Sequence, residues 1–498
     1  MEVQELKDVR LRFAPSPTGY LHIGGLRTAL YNYFFSENND GKFILRIEDT
    51  DQTRFVEGAI ENLIDELAWS GIEYDEGVFI EEGEIVQKGD YGPYIQSERL
   101  DIYRKYIDKL IDSGDAYYCF CSKERLDSVR EEQKIKGMIP KYDGFCRSLS
   151  LEEARERIDA GEEYVVRLKL APNKEISFHD LVRGEITINT DDTDDQVLLK
   201  SDGYPTYHMA VVIDDHLMKI SHVVRGEEWL ASTPKHIYLY DALGWEKPVY
   251  VHLPTVLNKE RQKLSKRHGD VAVGDFRKKG YLPEGLNNYL ALVGWSPEDN
   301  EEILSMDNMI KKFRFERVAK TGGIFDEGKL DWVNGHYIRT EPLSRITDLA
   351  IPYLIEAELI DEDFAENNRE WLEILVDMVR EGMHYMSEVV GRVEFMFNNK
   401  LNIEDEKALE VLQGEQTKTI LDAMKEELEK VDEIDEKLSN TLMKKIQSST
   451  GVKGKNLFMP SRVALSGSLH GPEFTKIIYL LGKENILERI DYIKENYL

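Results

Sequence analysis

Two short stretches constrain the fold of this chain more than any other part of it. The first reads FAPSPTGYLHIGG over residues 13–25 and continues an apolar run that begins at Val9. The run predicts a buried strand, its two prolines end that strand, and the helix-forming residues after Gly25 predict a helix. A glycine-rich turn that leads into a helix N-terminus is typical of sites for an anion such as a nucleotide phosphate.

The second stretch, KLSKR over residues 263–267, supplies positive charge. If the reaction is the transfer of a nucleotidyl group from ATP, negative charge develops on phosphate oxygens, and fixed cationic donors then matter more than covalent groups. His22, Lys263 and Lys266 are the candidate donors, and Gly269 leaves the lysine loop room to close. The sequence contains neither a Walker loop nor a GxGxxG fingerprint.

The composition describes a chain of several domains. With 498 residues, 41% of them hydrophobic and 32% charged, it can bury cores and remain soluble. No apolar segment is long enough to span a bilayer, so we expect a cytoplasmic protein. The formal net charge of -30 argues at first sight against a nucleic-acid partner, but a local basic patch can coexist with an acidic bulk.

The order of predicted elements indicates an α/β domain with an insertion, followed by a helical region. Strands and helices alternate over residues 1–111, give way to an α+β module over 112–200, and resume over 201–260. A loop and a helical domain are expected over 261–342. From there to the end, over 343–498, long helices are predicted and hardly a strand.

Charged side chains at the ends of predicted strands suit a small amino acid as substrate. Glu48 follows the apolar run KFILRI, and open α/β sheets bind ligands beyond the carboxyl ends of their strands. Its carboxylate can hold an ammonium group, whereas Arg12 and Arg225 can each hold a carboxylate, and Tyr207 adds a hydroxyl. Taken singly, each residue is as well explained by a structural ion pair or cap. Their assembly at strand ends is what indicates a substrate site.

Together these motifs resemble those of the bacterial-type glutamyl-tRNA synthetases, a family of class I aminoacyl-tRNA synthetases. HIGG at residues 22–25 resembles the HIGH signature of the class, and KLSKR resembles its KMSKS signature. The other matching pieces are RFAPSPTG at 12–19, LRIEDTD at 45–51, SDGYPTYH at 201–208, RGEEW at 225–229 and NGHYIR at 334–339. The PSPT turn and the IEDTD form favour glutamate over glutamine as the amino acid.

The resemblance implies a Rossmann-like parallel-sheet catalytic domain, an inserted domain that binds the acceptor stem, and a helical domain that binds the anticodon. It implies ATP with Mg²⁺ as cofactor, L-glutamate as substrate and tRNA(Glu) as partner, with tRNA(Gln) left open as a second partner. It also implies that tRNA is needed for activation of the amino acid and that the enzyme is a monomer without a membrane partner.

The resemblance also assigns roles to single residues. Catalysis falls to His22, Lys263 and Lys266. ATP binding falls to His22, Gly24, Gly25, Glu228, Trp229, Lys263 and Lys266. Glutamate binding falls to Arg12, Ser16, Glu48, Tyr207 and Arg225.

The cysteines are confined to one short segment. Cys119, Cys121 and Cys146 are the three cysteines of the sequence, and an odd number in a chain expected in the cytoplasm disfavours a disulfide framework. With Tyr142 they resemble the structural zinc site that a subset of the family carries in the inserted domain. We therefore expect Zn²⁺ held by these four residues, the alternative being reduced thiols without metal.

Two other functions use the same motifs. A small-molecule adenylyl- or cytidylyltransferase shares the His-Ile-Gly turn, but it has no need of a large helical C-terminal region. A non-catalytic RNA-binding relative would keep the fold, but His22, Lys263 and Lys266 are all intact. Glutamate–tRNA ligation is therefore the leading hypothesis.

Overall fold

The computed structural model describes residues 8–264 and 271–498. Two compact units divide the chain, one within residues 1–277 and 286–327 and the other within 278–285 and 328–498. The first unit mixes strands and helices, and the described elements of the second are helical. The predicted fold class, α/β with a helical C-terminal region, is thereby confirmed. None of the described helices has both the length and the apolar composition that crossing a membrane requires.

The strands are short and lie in the first unit. In chain order they are β1 (Arg10–Phe13), β2 (Lys42–Leu45), β3 (Glu76–Glu81), β4 (Glu84–Lys88), β5 (Ala116–Cys119), β6 (Val165–Leu168), β7 (Glu175–Asp180), β8 (Gly184–Asn189), β9 (Val197–Leu199), β10 (His222–Gly226), β11 (Val249–Leu253), β12 (Val256–Leu257) and β13 (Gly323–Ile324).

The helices of the first half of the chain separate these strands. They are α1 (Ile23–Asn38), α2 (Ala59–Trp69), α3 (Leu100–Ser113), α4 (Lys123–Ile135), α5 (Leu151–Asp159), α6 (Tyr207–Leu217), α7 (Thr233–Leu243), α8 (Val273–Lys279), α9 (Pro283–Leu292) and α10 (Met306–Lys312). The later helices follow one another. They are α11 (Glu327–Thr340), α12 (Leu343–Glu356), α13 (Glu362–Asn367), α14 (Arg369–Val379), α15 (Glu388–Val393), α16 (Glu406–Leu412), α17 (Thr417–Glu429), α18 (Glu436–Thr450), α19 (Lys455–Ser466) and α20 (Phe474–Asn496).

Two four-stranded sheets form the centre of the first unit. One has the order β1-β2-β3-β4 and the other the order β10-β11-β7-β8, and in each the first three strands run parallel while the last pair is antiparallel. The Ser221 N–H donates to Arg10 O at 2.9 Å, which joins β10 to β1. β1 thus has β2 on one side and β10 on the other. Where the strand order reverses in this way, an open α/β sheet has a crevice at the carboxyl ends of its strands.

The inserted segment forms its own antiparallel sheet, β5-β6-β9, but it also contributes β7 and β8 to the second sheet. The sequence predicts short strands over 163–170 and 185–189, on either side of β7, and none over β7 itself. Only Ile176 and Phe178 of its buried positions are apolar, and the third, Asp180, is a carboxylate. Because Asp180 is polar, β7 lacks the full alternation of apolar and polar residues by which a half-buried strand is predicted.

The second unit is built around its last helix. In α20 the apolar residues Ile477, Ile478, Leu481, Ile486 and Ile490 are buried, and α14, α17, α18 and α19 pack against it. Such a stripe of buried residues at helical spacing supplies the hydrophobic free energy that holds the helices together. This agrees with the prediction of long helices in the C-terminal region.

Candidate active site

A cavity of about 800 Å³ opens at the carboxyl ends of β1, β2 and β10. Every residue that the sequence assigned to glutamate lines it: Arg12, Ser16, Glu48, Tyr207 and Arg225. These residues come from four separate segments of the chain, so only the parallel arrangement of the strands brings them together.

A second cavity of about 190 Å³ lies beside the first, and the two share Gly25, Thr28 and Gly226 in their walls. Five of the residues assigned to ATP line this smaller cavity: His22, Gly24, Gly25, Glu228 and Lys263. Trp229 lines the larger cavity instead, and its ring centroid lies 4.0 Å from that of Tyr207. Lys266 lies outside the described residues. An amino acid and a nucleotide placed in the two cavities would therefore meet at their common wall.

His22 is the N-cap of helix α1, and its hydrogen bond defines the tautomer of the ring. Its Nδ1 accepts a hydrogen bond from the Gly24 N–H at 2.9 Å, so in the neutral ring the proton is on Nε2. The helix thus begins at Ile23, three residues before Leu26, where the sequence predicted its start, because the histidine side chain caps it. Both glycines lie in the first turn, and the N–H groups of that turn give the smaller cavity a positive end.

Backbone hydrogen bonds join the two signature stretches. The Ile23 N–H donates to Val271 O and the Val273 N–H donates to Leu21 O, each at 2.9 Å. On the other side of the lysine loop, the Leu264 N–H donates to Val256 O at 3.0 Å. The two signature stretches, far apart in the sequence, therefore meet at the smaller cavity, which both His22 and Lys263 line.

Buried ion pairs hold two of the glutamate-binding candidates, Arg12 and Glu48, in place. Arg12 donates from Nε to Asp215 at 2.9 Å, and Arg46 donates to Asp215 and to Glu48 at 2.8 Å each. Burial raises the pKa of Glu48, and the nearby guanidinium groups of Arg46 and Arg12 oppose the shift. The sequence did not assign Asp215, on α6, to the site, because its partner Arg12 is 203 residues away in the chain.

Arg225 has a different environment from Arg12. Its Nε donates to His252 Nε2 at 3.1 Å, and its terminal nitrogens contact Tyr207, His236 and Thr233 at 2.9–3.2 Å. Among the described residues, no carboxylate forms an ion pair with it. Burial lowers the pKa of His236 and of His252, so both rings are neutral near pH 7. Arg225 is thus a buried cation whose charge is left for a ligand.

The cysteines also come together. The Sγ atoms of Cys119, Cys121 and Cys146 lie within 4.8 Å of one another, and Tyr142 Oη is 3.4 Å from Cys119 Sγ and 3.7 Å from Cys121 Sγ. Cys121 Sγ and Cys146 Sγ are 3.6 Å apart, close to the ~3.8 Å separation of thiolates around tetrahedral zinc. The three cysteines are therefore close enough to one another to hold a metal ion, and Tyr142 lies beside them.

Comparison with known proteins gives the same assignment along the whole chain. Residues 8–332 match the model of the class I tRNA synthetases (E and Q), catalytic domain, and residues 345–494 match that of an anticodon binding domain. A glutamate–tRNA ligase of Alkaliphilus metalliredigens is 56% identical over 99% of this chain and all of its own length. One of Clostridioides difficile is also 56% identical, over 99% of this chain and 100% of its own.

Solved structures agree with these matches. A glutamate tRNA ligase from Elizabethkingia meningosepticum, determined in complex with its amino acid, superposes with a TM-score of 0.88 at 36% identity, covering 99% of this chain and 100% of that one. The match of residues 345–494 to an anticodon-binding domain disfavours a small-molecule nucleotidyltransferase. The chain therefore belongs to the class I aminoacyl-tRNA synthetases for glutamate and glutamine, and within them to the glutamate–tRNA ligase family.

Proposed function

We propose that this chain uses ATP to attach L-glutamate to the 3′-terminal adenosine of tRNA(Glu). The observation that carries the proposal is the junction of two cavities, one lined by the candidates for glutamate and the other by those for ATP. Membership of the glutamate–tRNA ligase family supports it. ATP enters as its Mg²⁺ complex, so the metal ion is part of the substrate.

Glutamate recognition rests on Arg225 in this proposal. Its guanidinium is buried among neutral groups, and a substrate carboxylate supplies the anion that such a group needs. The neutral amide of glutamine would leave the cation unpaired, which favours glutamate. Glu48 receives the ammonium group. Arg12 lines the same cavity and, although paired with Asp215, has N–H groups left to donate to a carboxylate.

Adenylation then follows from the geometry of the common wall. A carboxylate oxygen of glutamate attacks the α-phosphorus of ATP, a new P–O bond forms, and the bond to pyrophosphate breaks. His22 donates from Nε2, and Lys263 and Lys266 stabilise the charge on the phosphate oxygens. In the second step the 2′-hydroxyl of the terminal adenosine attacks the glutamyl carbonyl carbon, and AMP leaves.

The helical unit is proposed to bind the anticodon. A cavity of about 420 Å³ in this unit is lined by Arg392, Phe395, Ser468, His470 and Pro472, among others. A cation, an aromatic ring and hydroxyl groups around one cavity suit an unstacked base, which is bound by stacking and by contacts to its edge. Which tRNAs are accepted depends on such contacts.

Aminoacylation with radiolabelled glutamate, ATP and Mg²⁺ tests the function. Purified tRNA(Glu) and tRNA(Gln) are supplied separately, and we expect tRNA(Glu) to be charged. Charging of both would mean that another enzyme must amidate the glutamyl group on tRNA(Gln). Charging of neither, by protein that binds ATP, would contradict the proposal.

We also propose that Cys119, Cys121, Tyr142 and Cys146 hold a structural Zn²⁺ ion. Three sulfur ligands and one oxygen ligand complete a tetrahedral site with no open position, so the ion stabilises the fold and takes no part in the reaction. Metal analysis of protein purified without chelators should find one zinc per chain. Cys146→Ser should reduce that content, whereas Ser148→Ala in the same turn should not. Wild-type protein with well under one zinc per chain would refute the site.

A further inference from the structure

We propose that His252, held by Asp180, and Thr233 are positioning residues that fix the guanidinium of Arg225 for the side-chain carboxylate of glutamate. The inference rests on the proposed function, since it assumes that Arg225 binds glutamate. It assigns a role to residues that touch neither substrate and that no sequence motif singled out.

The parallel ladder between β10 and β11 places the first pair. Arg225 and His252 are directly opposite in register, and Asp180 is opposite Tyr250 on the next strand, β7. Side chains at opposed positions of neighbouring parallel strands lie on the same face of a sheet. Asp180, His252 and Arg225 therefore form a row that runs from the inserted segment to the glutamate cavity.

Asp180 fixes the tautomer of His252. Its Oδ2 accepts from the backbone N–H of His252 at 3.0 Å and contacts Nδ1 at 2.7 Å, and its Oδ1 accepts from the N–H groups of Val182 and Arg183. A carboxylate with this set of donors can only accept, so Nδ1 carries the proton. Neither side chain is exposed to solvent, so water cannot replace Asp180 as the partner of His252 Nδ1, and the imidazole ring stays in this orientation.

The lone pair of His252 then faces Arg225. An arginine N–H only donates, so the 3.1 Å contact from Arg225 Nε makes His252 Nε2 the acceptor. Thr233 Oγ1 accepts from a terminal nitrogen of the same guanidinium at 2.9 Å and also contacts His252 Nε2 at 3.1 Å. The pKa of His252 is lowered by burial, against the effect of Asp180, which keeps the ring neutral.

The neutral ring is what makes the arrangement useful for recognition. If Asp180 touched Arg225 directly, the two would form an ion pair and the guanidinium would have its counter-charge without a substrate. Because the imidazole stands between them, it orients the guanidinium but does not neutralise it. A rigid, unneutralised cation is the better receptor for a carboxylate.

Two substitutions of His252 separate these contacts. Asparagine places an amide nitrogen near the position of Nδ1 and can keep the bond to Asp180, but it does not reach Arg225. Glutamine places an oxygen near the position of Nε2 and can keep the bond to Arg225, but it loses the donor to Asp180. Kinetics are measured by glutamate-dependent ATP–pyrophosphate exchange with tRNA(Glu) present.

We expect His252→Asn to raise the KM for glutamate at least about tenfold, because a hydrogen bond to a charged group is lost. The KM for ATP should stay within about twofold, since the ATP cavity is untouched. His252→Gln should retain a KM for glutamate closer to that of wild type. His222→Asn is the matched control: His222 is also buried, bonds to Ser221 and lies near the other end of β10 from Arg225.

A purely structural role predicts another pattern: both His252 variants would lose thermal stability and change the two KM values alike, and this would overturn the inference. If His252→Asn does not fold, Thr233→Val replaces it, because valine keeps the shape and removes the hydroxyl; an unchanged KM for glutamate would then count against the proposal. Arg225→Lys separates the two proposals. If Arg225→Lys leaves the KM for glutamate unchanged, the assignment of Arg225 itself fails. If it raises this KM and His252→Asn does not, only the positioning role fails.

Discussion

Asp214 and Asp215 form ion pairs with three buried arginines, Arg12, Arg46 and Arg99, and both carboxylates are almost fully buried themselves. Asp215 accepts from Arg12 and Arg46, and Asp214 accepts from Arg99 Nε at 2.8 Å. Burial alone would raise the pKa of Asp215, but Arg12 and Arg46 lower it below its ordinary value. Removing one partner from a buried pair typically costs about 3–5 kcal/mol, because the remaining charge has no counter-ion.

Asp214→Asn is therefore expected to lower the free energy of unfolding of the first unit by about 3 kcal/mol or more. The carboxylate also accepts hydrogen bonds from Gln96 Nε2 at 2.9 Å and from Tyr103 Oη at 2.8 Å. Because an asparagine amide has only one oxygen, its NH₂ group would face at least one of the groups that donate to Asp214. Urea denaturation followed by circular dichroism measures the change. Asp112→Asn, exposed on α3, should stay within about 0.5 kcal/mol of wild type. Equal effects of the two substitutions would show that the buried network does not matter.

Sequence reasoning found the residues that line the cavities and missed those that support them. Arg12, Glu48 and Arg225 lie at the ends of apolar runs in the sequence, and a charged residue at the end of a predicted strand is a candidate for ligand binding. Asp180 contacts His252, 72 residues away, and that pairing exists only through the register of β7 with β11. No local spacing encodes such a register, so the residues that orient the site could not be read before the strand order was known.

At the scale of elements, Gly77 sets the distance between β2 and β3. It has a φ of +129°, and a Cβ atom built there would lie 2.0 Å from Leu45 O on β2. Glycine is thus required by the close approach of two backbones. Because β2 leads directly into Glu48, whose N–H donates to Pro15 O at 3.0 Å, the spacing of these strands also places a glutamate candidate.

Gly77→Ala should force β2 and β3 apart, at a cost of about 3 kcal/mol or more from the contact and the strained backbone together. We also expect kcat/KM for glutamate to fall, because Glu48 moves with β2. Gly83→Ala in the β3–β4 turn is the control. Its φ is +83° but no atom lies within 4 Å of the new Cβ, so only about 1 kcal/mol is expected. Thermal unfolding and pyrophosphate exchange check both substitutions, and equal stability of the two would contradict the close-approach argument.

Element boundaries followed the sequence wherever apolar periodicity was strong. The strand predicted before the first prolines is β1. The sequence STPK at 232–235 predicts the start of a helix that continues through Leu243, and α7 begins one residue later, at Thr233. The predictions were less accurate where a polar side chain caps a helix or is buried in a strand. His22 caps α1, which begins earlier than predicted, and Asp180 is buried in β7, which was not predicted. Periodicity reports burial of apolar groups and is blind to these polar contacts.

At the scale of the whole molecule, a chain with a formal net charge of -30 must bind a polyanion. The repulsion of distant carboxylates is screened within a Debye length of about 8 Å at physiological ionic strength. Contacts with phosphates act at closer range and release counterions, so they dominate the salt dependence. Lys453 and Lys455, exposed beside the start of α19 in the helical unit, are candidates for such contacts.

The KM for tRNA(Glu) should therefore rise with salt despite the acidic bulk. Three phosphate contacts to a single-stranded loop give a slope of about −2 in log affinity against log salt, or roughly tenfold or more between 50 and 200 mM. Lys453→Gln or Lys455→Gln should each reduce the slope by about 0.7 if its ammonium binds a phosphate of this loop. Lys42→Gln is the control, because Lys42 is already paired with Asp75 at 2.6 Å. A KM for tRNA that falls as salt is added would mean that repulsion by the net charge outweighs the local contacts.

The KM for glutamate, bound in a cavity between fixed charges, should change far less over the same range of salt concentration.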